Sequence, residues 1–205
     1  NRANGVIQGA ALFVDLSGFS TMADVLSKQG HIGAEILTDI MRVVFGPLVN
    51  AVYEQGGFVV GYAGDAFTAL FPADQSPVDA VKRCLSSALA MQLHVQENPH
   101  VQTAFGNFPI SIKAGMGFGE TTWQIFKSRD GAHATFWFRG ESITGAVQGE
   151  KFARPAQVIA DPAAYQLLRN FVTAQEIGPC FQILAANVDL PAPHPVSAPQ
   201  VDSDL

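Results

Sequence analysis

The chain has 205 residues, 48% hydrophobic and 15% charged. That supplies one sizeable buried core without a disulfide or metal staple, and excludes a mostly disordered polypeptide. Twelve Lys and Arg against eighteen Asp and Glu give a net charge of −6; with only Lys82 and Arg83 adjacent, this argues against a nucleic-acid partner.

Residues 6–14 form the first predicted strand, and Ala10, Ala11, Leu12, Phe13 and Val14 make it apolar on both faces, as in a central strand. Asp15 ends it. A helix is predicted from Ser17 or Gly18 to about Lys28, closed by Gly30. Ile32, Ile36, Ile40, Val44, Leu48 and Val52 then recur every fourth residue, with Leu37 and Met41 alongside, which is the stripe of a long amphipathic helix. Pro47 predicts a kink near Val43, and Gly56 and Gly57 stop the helix. Residues 58–62 and 67–71 read as a hairpin closed by Ala63, Gly64, Asp65 and Ala66.

A second amphipathic helix is predicted over 78–96, and a polar loop over 98–107. Ile110, Ile112, Ala114, Met116 and Phe118 alternate with Ser111, Lys113, Gly115 and Gly117. This predicts a strand with an apolar face for the helices and a flat, glycine-rich face open to a shared cleft. Strands at 121–126 and 134–138, joined across 127–131, form an arm carrying Trp123, Phe126, Phe136, Trp137 and Phe138, which reads as core or as subunit interface. Ser142 is read as the cap of a helix to about Ala153, followed by a strand at 158–160. Asp161 and Pro162 start a helix to about Asn170. The stretch from Pro191 reads as linker or disordered end. Hairpins inside a helix-containing pattern predict an α+β fold whose largely antiparallel sheet has its helices packed on one face.

Cys84 and Cys180 lack metal-ligand spacing and read as buried thiols of a reducing compartment. No apolar run approaches the ~20 residues that span a bilayer, and no signal pattern opens the chain. The segment therefore reads as cytoplasmic, complete in itself or part of something longer.

Two aspartates stand at the ends of apolar strands, Asp15 within Phe13-Val14-Asp15-Leu16-Ser17-Gly18-Phe19 and Asp65 in the hairpin. Paired carboxylates at a sheet edge suit a hard cation such as Mg²⁺. Spacing alone leaves a plainer reading open, with Asp15 a helix cap and Asp65 a turn residue. Gly115, Gly117 and Gly119 lack the offset of a dinucleotide loop, and no Walker sequence, nucleophile elbow or His-Glu-x-x-His is present.

The segments Leu12 to Ser20, Gly61 to Phe71, Ile112 to Glu120 and Gly140 to Ala146 together resemble the class III nucleotidyl cyclase catalytic domain. The likeness is greatest to the first of the two cyclase domains of bicarbonate-responsive soluble adenylyl cyclases and their bacterial tandem relatives. It implies a ferredoxin-like fold with an extra β-hairpin arm, over residues 8–185, between a lead-in at 1–7 and a tail at 186–205. It implies two Mg²⁺ or Mn²⁺ ions on Asp15, Asp65 and the Leu16 carbonyl, with Ser17, Gly18, Phe19 and Gly64 beside the substrate. The implied reaction converts ATP to cyclic AMP and pyrophosphate at a dimer interface. The facing domain's purine-reading lysine, its aspartate or threonine, its ribose-orienting asparagine and its transition-state arginine correspond to Gly61, about Trp137, Thr144 and Gln148, which all depart from the pattern. The bicarbonate-binding lysine and arginine fall at Gly61 and Val147. The resemblance thus implies a metal-bearing half that needs a complementary cyclase domain, a homodimer holding two incomplete sites. The alternative is an inactive regulatory or dimerisation domain.

Overall fold

The computed structural model describes residues 2–128, 133–187 and 190–193. Strand β1 (Arg2–Ser17) is longer than its apolar centre. Residues 2–7, read as a lead-in, are its first part and pair with the arm, Arg2 opposite Phe126. Two helices follow, α1 (Phe19–Ser27) and α2 (Gly30–Glu54). The latter continues through Pro47, and its buried stripe begins at Gly33 and Ile40, leaving Ile32 exposed. The hairpin of β2 (Phe58–Ala63) and β3 (Ala66–Pro72) closes through Gly64 at φ 64° and Asp65. Helix α3 (Pro77–Glu97) is capped by the Ser76 hydroxyl, which accepts from the Asp79 amide at 3.0 Å.

The stretch read as a polar loop is a small separate hairpin, β4 (His100–Thr103) and β5 (Gly106–Pro109). Strand β6 (Ser111–Lys127) runs unbroken into the arm, where it pairs with β7 (Ala134–Gly140). The arm's junction falls partly outside the described residues. Next come α4 (Glu141–Phe152), β8 (Val158–Ala160) and α5 (Pro162–Leu168). The Asp161 carboxylate accepts from the Ala164 amide at 2.7 Å, as its position before Pro162 predicts. Its pKa is nonetheless raised, because burial disfavours the charge more than the hydrogen bonds from backbone amides favour it. Strands β9 (Val172–Ile177) and β10 (Cys180–Ala186), absent from the sequence reading, turn through Gly178 at φ 58°.

The main sheet runs β2-β3-β1-β6-β8-β10-β9, with β7 alongside β6. Its pairings are antiparallel except β6 with β8. On one face, Ala10, Leu12, Val14 and Leu16 of β1 meet the buried residues of α1, α2, α3 and α5. On the other lie Ala11, Val60, Leu70 and Ala146, with Phe13, Phe58, Phe138 and Ile143 against them. Both faces are covered, which is why the centre of β1 is apolar throughout.

The expectation that the helices share one face holds for α1, α2, α3 and α5. Helix α4 lies on the opposite face, over Gly115 and Gly117, so these glycines do not line an open cleft. A Cβ on Gly117 would overlap the Ser142 carbonyl oxygen and come within 2.6 Å of the Ala146 amide nitrogen; one on Gly115 would overlap the Ala146 carbonyl and the Glu150 amide. These glycines are needed for backbone to approach backbone. Ser142, read as the helix cap, is instead a buried first-turn residue whose hydroxyl bonds that of Thr121, while Gly140 occupies the cap.

In the tail, Leu190 packs on the core and the Pro191 carbonyl accepts from Gln55 Nε2 at 3.0 Å and Ser86 Oγ at 3.1 Å. The remainder, residues 188–189 and 194–205, lies outside the described residues. Both cysteines are free and buried. Among the described residues no helix is long and apolar enough to cross a membrane.

Candidate active site

Asp15 sits two residues before the end of β1, opposite Ala66 of β3, and the Leu16 amide donates to the Asp65 carbonyl at 3.1 Å. Hairpin register therefore brings the backbones of both predicted aspartates to one end of the sheet. Their carboxylates have different partners. Asp65 Oδ2 accepts from the Ser20 hydroxyl at 3.1 Å, which ties the hairpin turn to the first turn of α1. Asp15 Oδ2 lies 3.3 Å from Lys113 Nζ, directly across the β1–β6 ladder.

Lys113 also reaches Glu150 Oε1 at 2.5 Å. Glu150 comes from the last turn of α4, and the missing side chain at Gly115 lets that turn settle on the sheet beside Lys113. The hydrogen bond to Glu150 is the largest influence raising the Lys113 pKa; partial burial opposes it, and Asp15 adds to the rise. The lysine is therefore an ammonium at neutral pH. Its ion pairs are formed at neutral pH and up to the ordinary lysine value of about 10.4, and are lost as pH rises through the higher folded value.

The predicted substrate-side residues surround the start of α1. Gly18 is its N-cap at φ 96°, exposed, with no side chain capping the amides that follow. Only glycine fits there without strain, since a Cβ would also strike the Pro109 carbonyl. Ser17 ends β1 opposite Ser111, and Gly64 is exposed in its turn. The Phe19 ring is in the core, edge-on to Phe45 with centroids 6.5 Å apart, so Phe19 can offer a ligand only its backbone. No side chain caps these first-turn amides, which can accept an anion close to the Asp65 carboxylate held by Ser20.

A divalent cation fits the chemistry of this donor set. Two carboxylates and the Leu16 carbonyl are hard oxygen donors, and an ammonium already stands at Asp15 as its cationic partner. Among the described residues no three His, Cys, Asp or Glu side chains gather as a metal cage. The remaining ligands of a bound ion would be water and substrate oxygens, as is usual for Mg²⁺.

Gly61 is exposed in β2, with nothing within 4 Å of where a Cβ would stand. Thr144 and Gln148 are exposed one turn apart on α4, and the Thr144 hydroxyl donates to the Gly140 carbonyl at 2.9 Å. Val147 is partly buried, and Trp137 carries the Arg139 guanidinium 5.1 Å from its ring centre. In the arm, Trp123 lies against Gly5, Phe138 packs on Phe58 and Phe136 remains exposed. A cavity of about 600 Å³ between α2, α3 and the β4–β5 hairpin, lined by Ile36, Val44, Val95 and Val101, contains none of the predicted site residues.

Sequence reasoning passed over Lys113, Glu150 and Ser20. A signal existed for the first: Lys113 is the single charged residue between 110 and 119.

No protein-family model matches the chain. It is 25% identical over 188 residues to human adenylate cyclase type 10, a match covering 91% of this chain and 11% of that protein. Among solved structures it resembles the adenylyl cyclase CyaB of P. aeruginosa, with a TM-score of 0.72 at 17% identity over 92% of this chain and 100% of that one. It also resembles a dimeric guanylyl cyclase domain from the fungus Blastocladiella emersonii, with a TM-score of 0.68 at 14% identity over 92% and 100% of the two chains. The chain therefore has the fold of a class III nucleotidyl cyclase catalytic domain and is related in sequence to a segment of adenylate cyclase type 10.

Proposed function

We propose that this chain is the metal-bearing half of a class III adenylyl cyclase, converting ATP to cyclic AMP and pyrophosphate where it meets a complementary cyclase domain. The observation that supports the reading is the backbone register that brings Asp15 and Asp65 to one sheet end, with Asp65 tied to the uncapped start of α1. Asp15, Asp65 and the Leu16 carbonyl would hold Mg²⁺ or Mn²⁺. Bound there, such ions supply positive charge that neutralises the triphosphate and acidifies the attacking ribose hydroxyl. The backbone of Gly18, Phe19 and Ser20 receives phosphate oxygens at the helix start, with Gly64 leaving the opposite side open. The Lys113 ammonium adds a cation at the same end.

In the reaction the ribose 3′ oxygen bonds to the α-phosphorus, the bond from that phosphorus to the bridging oxygen breaks with its electron pair leaving on pyrophosphate, and the hydroxyl proton passes to water. Gly61, Thr144 and Gln148 bring neither the purine-reading cation nor the charge that stabilises the five-coordinate phosphorus. Those groups belong to the complementary domain, and a homodimer of this chain would lack them at both sites. The same three positions favour a second reading, a regulatory or dimerisation domain without turnover.

Binding of a non-hydrolysable ATP analogue separates the two readings. With the complementary domain present, binding is expected to need Mn²⁺ and to be lost with chelator. Association of the two domains that is indifferent to metal, with no analogue bound, would favour the regulatory reading.

A further inference from the structure

Lys113 is shared between two carboxylates, and unequally. Its Nζ is 2.5 Å from Glu150 and 3.3 Å from Asp15, so Glu150 is the tighter partner. The three side chains come from β6, α4 and β1 and are 27%, 11% and 26% exposed, so the contacts are partly shielded from water, the one to Glu150 most. Charge decides what the arrangement does. Two carboxylates and one ammonium leave one negative charge, whereas Lys113 and Asp15 alone would cancel. Glu150 is also fixed in place, because its own backbone rests against Gly115.

We infer that Glu150 is a positioning residue that, as the tighter partner of Lys113, loosens the ammonium's hold on Asp15 and so eases its displacement by a divalent cation. This rests on the metal reading of Asp15 and Asp65. Glu150→Gln removes the tighter ion pair, so Lys113 would settle more closely on Asp15 and an incoming ion would displace it at greater cost. Glu150 thus sets metal affinity through Lys113 and not through direct coordination.

The test is Mn²⁺ binding to the purified chain, read by electron paramagnetic resonance, with circular dichroism to verify folding. The natural chain should bind Mn²⁺ in a manner lost in Asp15→Asn. Glu150→Gln should weaken binding about tenfold, the scale on which residues that orient metal ligands act. Glu150→Asp should recover most of that loss. Lys113→Met should bind at least as tightly as the natural chain, and adding Glu150→Gln to it should cost less than about threefold, since the effect runs through a residue no longer there. Equal losses in both backgrounds would show that Glu150 acts by its charge alone and would overturn the inference, as would no loss on Glu150→Gln. Absence of Asp15-dependent Mn²⁺ binding in the natural chain is a separate outcome; it would overturn the metal reading and this inference with it.

Discussion

Replacing either Asp15 or Asp65 with asparagine is expected to lower cyclic AMP formation in the assembled enzyme by at least about 10²–10³-fold, the scale lost when a single charge-stabilising group is removed. The fold should survive both changes. Asp15 is at a strand end with its carboxylate partly exposed, and its ion pair with Lys113 contributes at most about 1 kcal/mol. The Asp65→Asn side chain would keep an oxygen for the Ser20 hydroxyl. Turnover measured with the complementary domain, alongside thermal melts of each variant, checks both halves of the statement. A variant that melts normally and still turns over at the natural rate would remove that aspartate from the site.

The second large effect concerns stability. Gly117→Val puts a branched side chain where Ser142 and Ala146 of α4 already stand, and α4 must lift from the sheet. Overpacking of this kind costs about 3 kcal/mol, a loss of roughly 6–12 °C in Tm for a domain this size. Lifting α4 also takes Glu150 away from Lys113, so the site should suffer along with the fold. Gly61→Ala is the control: its Cβ would meet open space, and its Tm should stay within about 2 °C of the natural chain. Equal melting of Gly117→Val and the natural chain would mean that α4 does not seat on β6 as described.

The parts legible in the sequence are those specified locally. Gly64 and Asp65 between two short β runs announce the hairpin that carries the second aspartate, and Asp161 before Pro162 announces α5 through its cap. The continuous apolar stretch of β1 marks a central strand. Other elements were poorly signalled. The strands β4, β5, β9 and β10 are short, and Val172–Ile177 alternates too weakly to stand out; the Gly178 turn was the available clue.

The more instructive error concerns Gly115 and Gly117. A glycine on a strand face fits either an open cleft or a close backbone approach. Periodicity cannot choose between them, because the answer depends on where α4, more than twenty residues later, comes to rest. The contact between Lys113 and Glu150 was hidden for the same reason. The candidate site was legible as two aspartates and a helix start, and illegible as an electrostatic arrangement.

Cyclic AMP formation from ATP and Mn²⁺, measured for this chain alone and after mixing with a cyclase domain that carries the lysine, asparagine and arginine missing here, tests the account most directly. At most trace product is expected from the chain alone, with a rise of about 10²–10³-fold on mixing, the scale set by a transition-state donor. That rise should be absent with Asp15→Asn. Robust cyclic AMP formation by the isolated chain, unchanged by Gln148→Ala, would contradict it.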